Sequence, residues 1–173
     1  MDLHSTQIQG FAKIPFDHLY SRMVLLDAIK NEGLDSDHTA VLAPDIGSAK
    51  MSQAYAKRLG MHFALIDKRR YAPNQAEVSH LLGDLKDMDV LIIDDMIDTG
   101  HTICAAVKKI MQEDIDKVYV YSTHPVFSKP APDNILKLGI SKMVVTDTIP
   151  ITKNDNKIQM ISVDSLLSSA IKN

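Results

Sequence analysis

The sequence has too few cysteines for a disulfide framework and too few consecutive apolar residues for a membrane span. Cys104 is the single cysteine among 173 residues, so no internal disulfide can form. Its place among apolar residues of a predicted helix favours a buried structural thiol over a nucleophile. No stretch approaches about 20 apolar residues, and the first residues lack the basic and apolar regions of a signal peptide. We therefore expect a soluble, cytoplasmic protein.

A strong excess of one charge is also missing from the sequence. The 19 lysines and arginines nearly balance the 22 aspartates and glutamates, which gives a net charge of −3. This balance provides no broad basic surface, so neither nucleic acid nor an anionic membrane is an expected partner. Any phosphate must then be held by a local site. Because repeats and a Pro/Gly-rich linker are lacking too, residues 1–173 are expected to form a single domain.

Strand-like and helix-like segments alternate along the chain. The predicted strands are 39–43, 62–67, 90–93, 118–123, 143–146 and 158–163, and the predicted helices are 20–31, 48–59, 102–112 and 164–171. Residues 129–132, which contain two prolines, are predicted to be a loop. Strands that alternate with amphipathic helices are typical of a parallel sheet covered on both faces. The predicted fold class is therefore α/β, a doubly wound and mostly parallel sheet.

The most informative stretch follows the third predicted strand, which ends in Asp94 and Asp95 and leads through a short loop into a helix. Open α/β sheets bind ligands at the carboxyl ends of their strands. Thr99, Gly100 and Thr102 bring hydroxyls, an unhindered backbone and free amides to the helix N-terminus, where a phosphate is favoured. The alternative is an ordinary strand end with a helix cap, because Asp and Thr are common capping residues.

A second strand-turn-helix follows the first predicted strand and contains Asp45, Gly47 and Lys50. Backbone amides in such a turn can bind an anion, and a carboxylate can hold a divalent ion that bridges phosphate oxygens. A diphosphate would fit this arrangement. A helix cap beside a tight turn explains the same residues equally well.

A run of three cations, Lys68, Arg69 and Arg70, follows the next predicted strand. Phosphoryl transfer depends mainly on positioning and electrostatic stabilisation, so cations near a transferring group are the expected apparatus. Considered alone, this run is more typical of a solvated loop.

Taken in order, these motifs resemble the ribose-phosphate pyrophosphokinase (PRPP synthetase) family of the type I phosphoribosyltransferase superfamily. The matching segments are MDLH at 1–4, QIQGF at 7–11, PDIG at 44–47, DKRR at 67–70, the loop at 94–102, THPVFS at 123–128 and DTIP at 147–150. The resemblance implies that the diphosphate of ATP is transferred to the C1 hydroxyl of ribose 5-phosphate. The implied products are PRPP and AMP, and the implied cofactor is Mg²⁺.

The resemblance also implies the roles of individual residues. Lys68 and Arg70 would be catalytic, with Lys68 stabilising the transferring diphosphate and Arg70 also contacting ribose 5-phosphate. His4 and Asp45 match the magnesium-binding pair of the family. The residues implied to bind ribose 5-phosphate are Asp94 and Asp95 at the ribose hydroxyls or their metal, and Asp98, Thr99, Gly100, His101 and Thr102 at the phosphate. His124, at the end of a strand, is expected to be an orienting or structural residue.

The sequence departs from the family pattern in ways that leave other functions open. Family members have two similar α/β halves, and this sequence resembles the C-terminal half; the half that holds the adenine is not represented. Ser48, Met51 and His101 replace a glycine, an arginine and a glycine that are common in the family. The implied partners are ATP and ribose 5-phosphate, with further copies of the chain or a complementary subunit.

Two other functions are compatible with the sequence. The first is a non-catalytic or half-site partner subunit of a PRPP synthetase, which would bind ribose 5-phosphate without turnover of its own. The second is a phosphoribosyltransferase that consumes PRPP. That function needs a segment over the loop to hold a nucleobase, and no such insertion is visible in the sequence.

Overall fold

The strands form one sheet that is parallel except at one edge. The computed structural model describes residues 1–69, 78–128 and 130–172. Its strands are β1 Thr39–Ala43, β2 His62–Arg69, β3 Val78–Leu82, β4 Asp89–Ile97, β5 Val118–Pro125, β6 Lys142–Thr146 and β7 Ile158–Ile161. Across the sheet these seven strands of the described residues lie in the order β3-β2-β1-β4-β5-β6-β7. Only β3 pairs with its neighbour, β2, in antiparallel orientation.

Helices cover both faces of this sheet. They are α1 Arg22–Glu32, α2 Ala49–Leu59, α3 His101–Ile110, α4 Ala131–Leu136 and α5 Asp164–Lys172. Buried residues of α1 and α2 belong to one apolar cluster, and those of α3 and α4 belong to a second cluster on the other face. The predicted doubly wound, mostly parallel α/β fold is confirmed.

The central strand β4 contains an unbroken apolar run because both of its faces are covered. Val90 and Ile92 pack in the α3 and α4 cluster, whereas Leu91 and Ile93 pack in the α1 and α2 cluster. All four side chains are completely buried. A strand that is covered on both faces needs apolar residues at successive positions. Each such side chain contributes about 1.5–3 kcal/mol to folding.

The structure corrects three local expectations. Strand β3 was not predicted, because an antiparallel edge strand needs no crossover helix and so does not follow the alternation used for the prediction. The loop predicted at 129–132 was wrong in its second part, since Ala131 and Pro132 open α4. Proline is tolerated in a first helical turn, where its missing N–H has no helical partner. Strand β4 continues to Ile97, so Asp94 and Asp95 lie within its last residues.

Cys104 is a half-buried free thiol packed against the α3 and α4 cluster, and burial raises its pKa. Because the reactive species is the thiolate, this agrees with a structural role. None of the helices in the described residues combines the length and apolar character needed to cross a membrane.

Gly100 joins β4 to α3 in a position that no other residue fills without strain. Its φ is +71°, in the left-handed region, and a Cβ there would lie 3.0 Å from Cδ1 of the completely buried Ile135. Gly60 has a similar φ of +69° after α2, but open space surrounds its missing side chain. The two glycines therefore separate backbone strain from packing.

We predict that Gly100→Ala lowers the free energy of unfolding by about 2–4 kcal/mol, which combines left-handed strain with overpacking against Ile135. Gly60→Ala is the control and should cost about 1–2 kcal/mol, from strain alone. Urea denaturation of both variants measures the difference. Equal losses would show that Ile135 does not constrain the loop.

Candidate active site

Neighbouring strand ends gather the predicted site residues at one edge of the sheet. β1, β2, β4 and β5 are parallel, so their carboxyl ends lie on the same side. Asp45 follows β1, Lys68 is half-buried near the end of β2, and Asp94 and Asp95 lie near the end of β4. This edge is where open α/β sheets bind ligands. Arg70 lies outside the described residues.

The loop between β4 and α3 encloses a small cavity of about 120 Å³. The predicted phosphate-binding residues that line it are Asp98, Thr99, Gly100, His101 and Thr102, together with Asp94. The first backbone bond of α3 runs from the Cys104 N–H to the Gly100 carbonyl over 2.8 Å. The N–H groups of the first helical turn have no helical acceptor and are suited to hold an anion.

Contacts from the segment after β5 hold this loop in place. The Ser128 hydroxyl donates to the Asp98 carboxylate, and the Phe127 N–H donates to the Ile97 carbonyl over 2.9 Å. One oxygen of Asp98 is therefore used to fasten the loop. Ser128 was noted in the sequence as part of a motif, but its contact with Asp98 was not predicted.

Asp94 is the carboxylate with the most unusual environment. Burial, followed by the negative charges of Asp95 and Asp45, raises its pKa to about 7. The Asp95 N–H donates to Asp94 Oδ1 over 3.0 Å and opposes this shift. The carboxylates of Asp94, Asp95 and Asp45 thus lie near one another at this edge of the sheet, and Asp94 has little contact with solvent. A cation or a group of hydroxyl donors would relieve this repulsion.

His4 reaches the same edge from the beginning of the chain. Its Nδ1 lies 3.0 Å from Asp95 Oδ2, although 75% of the His4 side chain is exposed. The resemblance grouped His4 with Asp45 as metal ligands and Asp95 with the ribose hydroxyls or their metal. The structure thus places His4 against a residue assigned to the sugar or to its metal.

Asp45 shapes the turn that opens α2. Its Oδ1 accepts from the Ser48 N–H over 3.0 Å, and the Ser48 hydroxyl donates to the Asp45 carbonyl over 3.0 Å. One oxygen of Asp45 therefore serves the turn, as the capping alternative expected. The same carboxyl group is close enough to Asp94 to raise the pKa of Asp94, so it also belongs to the acidic edge.

A larger cavity of about 590 Å³ lies beside the acidic pair, between residues 1–6, α1 and α2. Asp94 and Asp95 line one side of it, and Arg22 and Lys50 bring positive charge. Tyr20 and Tyr55 add aromatic surface. No sequence motif marks Arg22 or the tyrosines, because only the packing of the helices brings them here. A cavity with both charges and aromatic rings can receive a polar organic ligand.

The acidic edge suits magnesium, which keeps part of its water shell, better than a metal that protein ligands surround completely. Within the described ranges, no group of three or more His, Cys, Asp and Glu side chains is arranged to hold a metal ion. Mg²⁺ keeps several waters and binds through one or two carboxylates and substrate phosphates. The crowding that raises the pKa of Asp94 is an environment that a hydrated divalent cation would stabilise.

Comparison with known proteins agrees with this geometry. The model of the phosphoribosyl transferase domain family matches residues 24–149. The chain belongs to the phosphoribosyl transferase family. Among curated phosphoribosyl transferase relatives, it is 43% identical to the ribose-phosphate pyrophosphokinase of Chlorobaculum tepidum, over 99% of this chain and 53% of the relative. It is 40% identical to that of a Marinomonas species, over 99% of this chain and 55% of the relative.

Two solved structures are similar to this chain in fold. Phosphoribosylpyrophosphate synthetase from Mycobacterium smegmatis superposes with a TM-score of 0.88 and 33% identity, over 99% of this chain and 56% of that one. Adenine phosphoribosyl transferase from Trypanosoma brucei superposes with a TM-score of 0.55 and 19% identity, over 86% of this chain and 74% of that one, and shows the fold alone. The chain spans about half the length of the curated relatives it matches.

We predict that Asp94 makes the folded state less stable as pH rises. The folded protein holds a proton on Asp94 up to a pH of about 7, whereas the unfolded chain releases it near its ordinary pKa of about 4. The stability that this proton supplies is therefore lost as pH rises toward 7. Asp94→Asn removes the titration, so its gain in free energy of unfolding should be larger at pH 8 than at pH 5 by at least about 1 kcal/mol.

Urea denaturation at both pH values measures this gain, and Asp147→Asn is the control. Hydrogen bonds from the Ser162 hydroxyl and the Val163 N–H lower the pKa of Asp147. Asp147→Asn should therefore change stability with the opposite sign at pH 8. An Asp94→Asn gain that is the same at both pH values would contradict the shifted pKa of Asp94.

Proposed function

We propose that the chain carries the ribose 5-phosphate and transfer site of a ribose-phosphate pyrophosphokinase. Its reaction would transfer the diphosphate of ATP to the C1 hydroxyl of ribose 5-phosphate, giving PRPP and AMP. One observation carries this proposal: Asp94 lines both the small cavity of the loop and the larger cavity beside it. A sugar phosphate with its phosphate in the first cavity would present its sugar at the entrance to the second.

In this proposal, the loop residues 98–102 hold the 5-phosphate at the N-terminus of α3. Helix N–H groups and the helix dipole favour the phosphate charge. Asp94 and Asp95 accept hydrogen bonds from the ribose hydroxyls or hold the metal that contacts them. Their position beside the loop limits the sugar to one orientation, which is the main requirement for an efficient group transfer.

The transfer itself would form a bond between the C1 oxygen and the β-phosphorus of ATP. The C1 hydroxyl gives up its proton to water, the bond from the β-phosphorus to the oxygen that bridges it to the α-phosphorus breaks, and AMP leaves with this oxygen. Lys68 is proposed to stabilise the charge that develops on the diphosphate, and Arg70, two residues later in the sequence, is proposed to contact ribose 5-phosphate. Positively charged side chains lower a phosphoryl-transfer barrier when they are held in place before the reaction.

Magnesium is the proposed cofactor, and His4 and Asp45 are the residues proposed to hold it. When bound, it would neutralise phosphate oxygens and the acidic edge. Imidazole is an unusual ligand for magnesium, which prefers oxygen and water. The His4 contact with Asp95 supports a role in which His4 orients the carboxylate or a metal-bound water.

The use of ATP, the assembly with like or complementary subunits and the cytoplasmic location stay predictions.

A half-site subunit is the second candidate, because the curated relatives are about twice as long as the region they share with this chain. In that case the chain would bind ribose 5-phosphate but need a complementary domain to hold ATP. The two candidates differ in turnover by the chain alone and agree on the ribose 5-phosphate site.

We predict that Lys68→Ala lowers turnover by about 100-fold or more while the affinity for ribose 5-phosphate stays nearly unchanged, as expected for a contact made in the transition state. Phosphorus NMR of AMP and PRPP formation measures turnover, and calorimetry measures the affinity. Lys57→Ala, at an exposed position on α2, is the matched control and should behave like the original chain.

Unchanged turnover of Lys68→Ala would remove this lysine from the mechanism. If the original chain forms no product but still binds ribose 5-phosphate, the half-site candidate is supported. Failure to bind ribose 5-phosphate would contradict both candidates.

A further inference from the structure

Residues 1–5 form an N-terminal strap that crosses the carboxyl edge of the sheet. Asp2 fixes this strap by three hydrogen bonds. Its N–H donates to the Leu19 carbonyl over 2.9 Å, and its Oδ2 accepts from the Ser21 N–H at 3.0 Å and from the Thr123 hydroxyl at 2.9 Å. The strap is therefore tied both to the residue before α1 and to the end of β5.

The bond between Asp2 and Thr123 belongs to a closed, buried arrangement. The Ser21 and Thr123 hydroxyl oxygens lie 2.7 Å apart, and both residues are almost completely buried. Because the Thr123 hydroxyl donates to Asp2, the Ser21 hydroxyl is the group that donates to Thr123. Each of the two hydroxyls thus donates to one defined acceptor. Removal of the Thr123 hydroxyl would leave both Asp2 and Ser21 short of a partner.

The backbone at Asp2 indicates that this anchor acts against strain. Asp2 has a φ of +35°, in a region that non-glycine residues rarely adopt. Such conformations persist when the surrounding contacts over-determine them. Here the contacts are the bonds to Ser21 and Thr123, so these two residues hold the bend of the strap.

Further bonds fasten the strap on either side of Asp2. His124, the residue after Thr123, has its Nε2 3.0 Å from the Met1 carbonyl, and this nitrogen must be the donor because a carbonyl only accepts. The Leu3 N–H donates to His18 Nε2 over 2.9 Å. Two successive residues of β5, Thr123 and His124, therefore bind the strap. The contact of His124 with the Met1 carbonyl is consistent with the orienting role expected of it.

The consequence of this anchoring appears at His4. Its side chain is mostly exposed, so packing does little to fix it, yet its ring meets Asp95 on β4. The position of such a side chain depends on the backbone that carries it. That backbone is held two residues earlier by Asp2.

We infer that Thr123 is a positioning residue, which acts through the Asp2 carboxylate to hold His4 against Asp95. β5 thereby sets the geometry of an acidic group on the neighbouring strand. The inference goes beyond the proposed function, and only its effect on metal binding rests on that function.

The position of His4 can be measured directly by proton–carbon NMR of the histidine rings. The His4 signal is assigned by its loss in His4→Ala. Thr123→Val keeps the shape of the side chain but removes the hydroxyl, and Thr123→Ser keeps the hydroxyl. The His4 signal should move in Thr123→Val in the same direction as in Asp95→Ala, and should stay in place in Thr123→Ser.

An unmoved His4 signal in Thr123→Val would overturn the inference. If Thr123→Val does not fold, Asp2→Asn provides the second test, since it weakens the same anchor from the strap. Its His4 signal should move toward that of Asp95→Ala, and a signal that stays in place would again overturn the inference.

The effect on metal binding is measured with Mn²⁺ by electron paramagnetic resonance. His4→Ala and Thr123→Val should each weaken Mn²⁺ binding by about tenfold, as is typical for residues that orient a metal site. The double variant should be no weaker than His4→Ala, because both changes remove the same contact. Thr123→Ser should bind as the original chain does.

Independent losses that multiply in the double variant would show that Thr123 does not act through His4 and would overturn the inference. If His4→Ala leaves Mn²⁺ affinity unchanged, the metal role of His4 in the proposed function fails. The NMR comparison then still decides whether Thr123 positions His4.

Discussion

Burial of the Asp94 carboxylate beside two other acidic groups is the constraint on which the candidate site depends. Burial and the neighbouring charges of Asp95 and Asp45 raise the pKa of Asp94 to about 7, so the site is poorly suited to hold Asp94 ionised. Sugar hydroxyls and a divalent cation are the kinds of partner that offset such crowding. The raised pKa of Asp94 costs folding stability at neutral pH, and the proposed ligands would offset that cost, as is common where function and folding compete.

The sheet supplies the framework that makes this crowding possible. The parallel strands β1 and β4 are neighbours, so Asp45, which follows β1, and Asp94, which lies near the end of β4, meet at the same edge of the sheet. Gly100 then turns the chain into α3. Ile135 packs so close to the Gly100 backbone that no side chain fits there without strain. The N-terminus of α3, where we propose that the phosphate binds, and the acidic pair are therefore parts of one strand-loop-helix unit, held between two apolar clusters.

The sequence predicts the parts of this arrangement that depend on local pattern. The apolar run at 90–93 and the loop before α3 are marked by composition and spacing; the structure has the apolar run where it was expected and a shorter loop, residues 98–100, between β4 and α3. The contact of His4 with Asp95 joins residues 91 positions apart, and no local pattern encodes such a contact. The same holds for Arg22 and the tyrosines of the larger cavity, which the packing of α1 and α2 brings to the edge.

A phosphate site at the N-terminus of α3 can be tested by nitrogen–proton NMR of the chain titrated with ribose 5-phosphate and, separately, with ribose. Ribose 5-phosphate should shift the amide signals of residues 94–102, and ribose, which lacks the phosphate, should cause much smaller changes. Shifts elsewhere in the chain, or equal responses to the two sugars, would contradict a phosphate site at the N-terminus of α3.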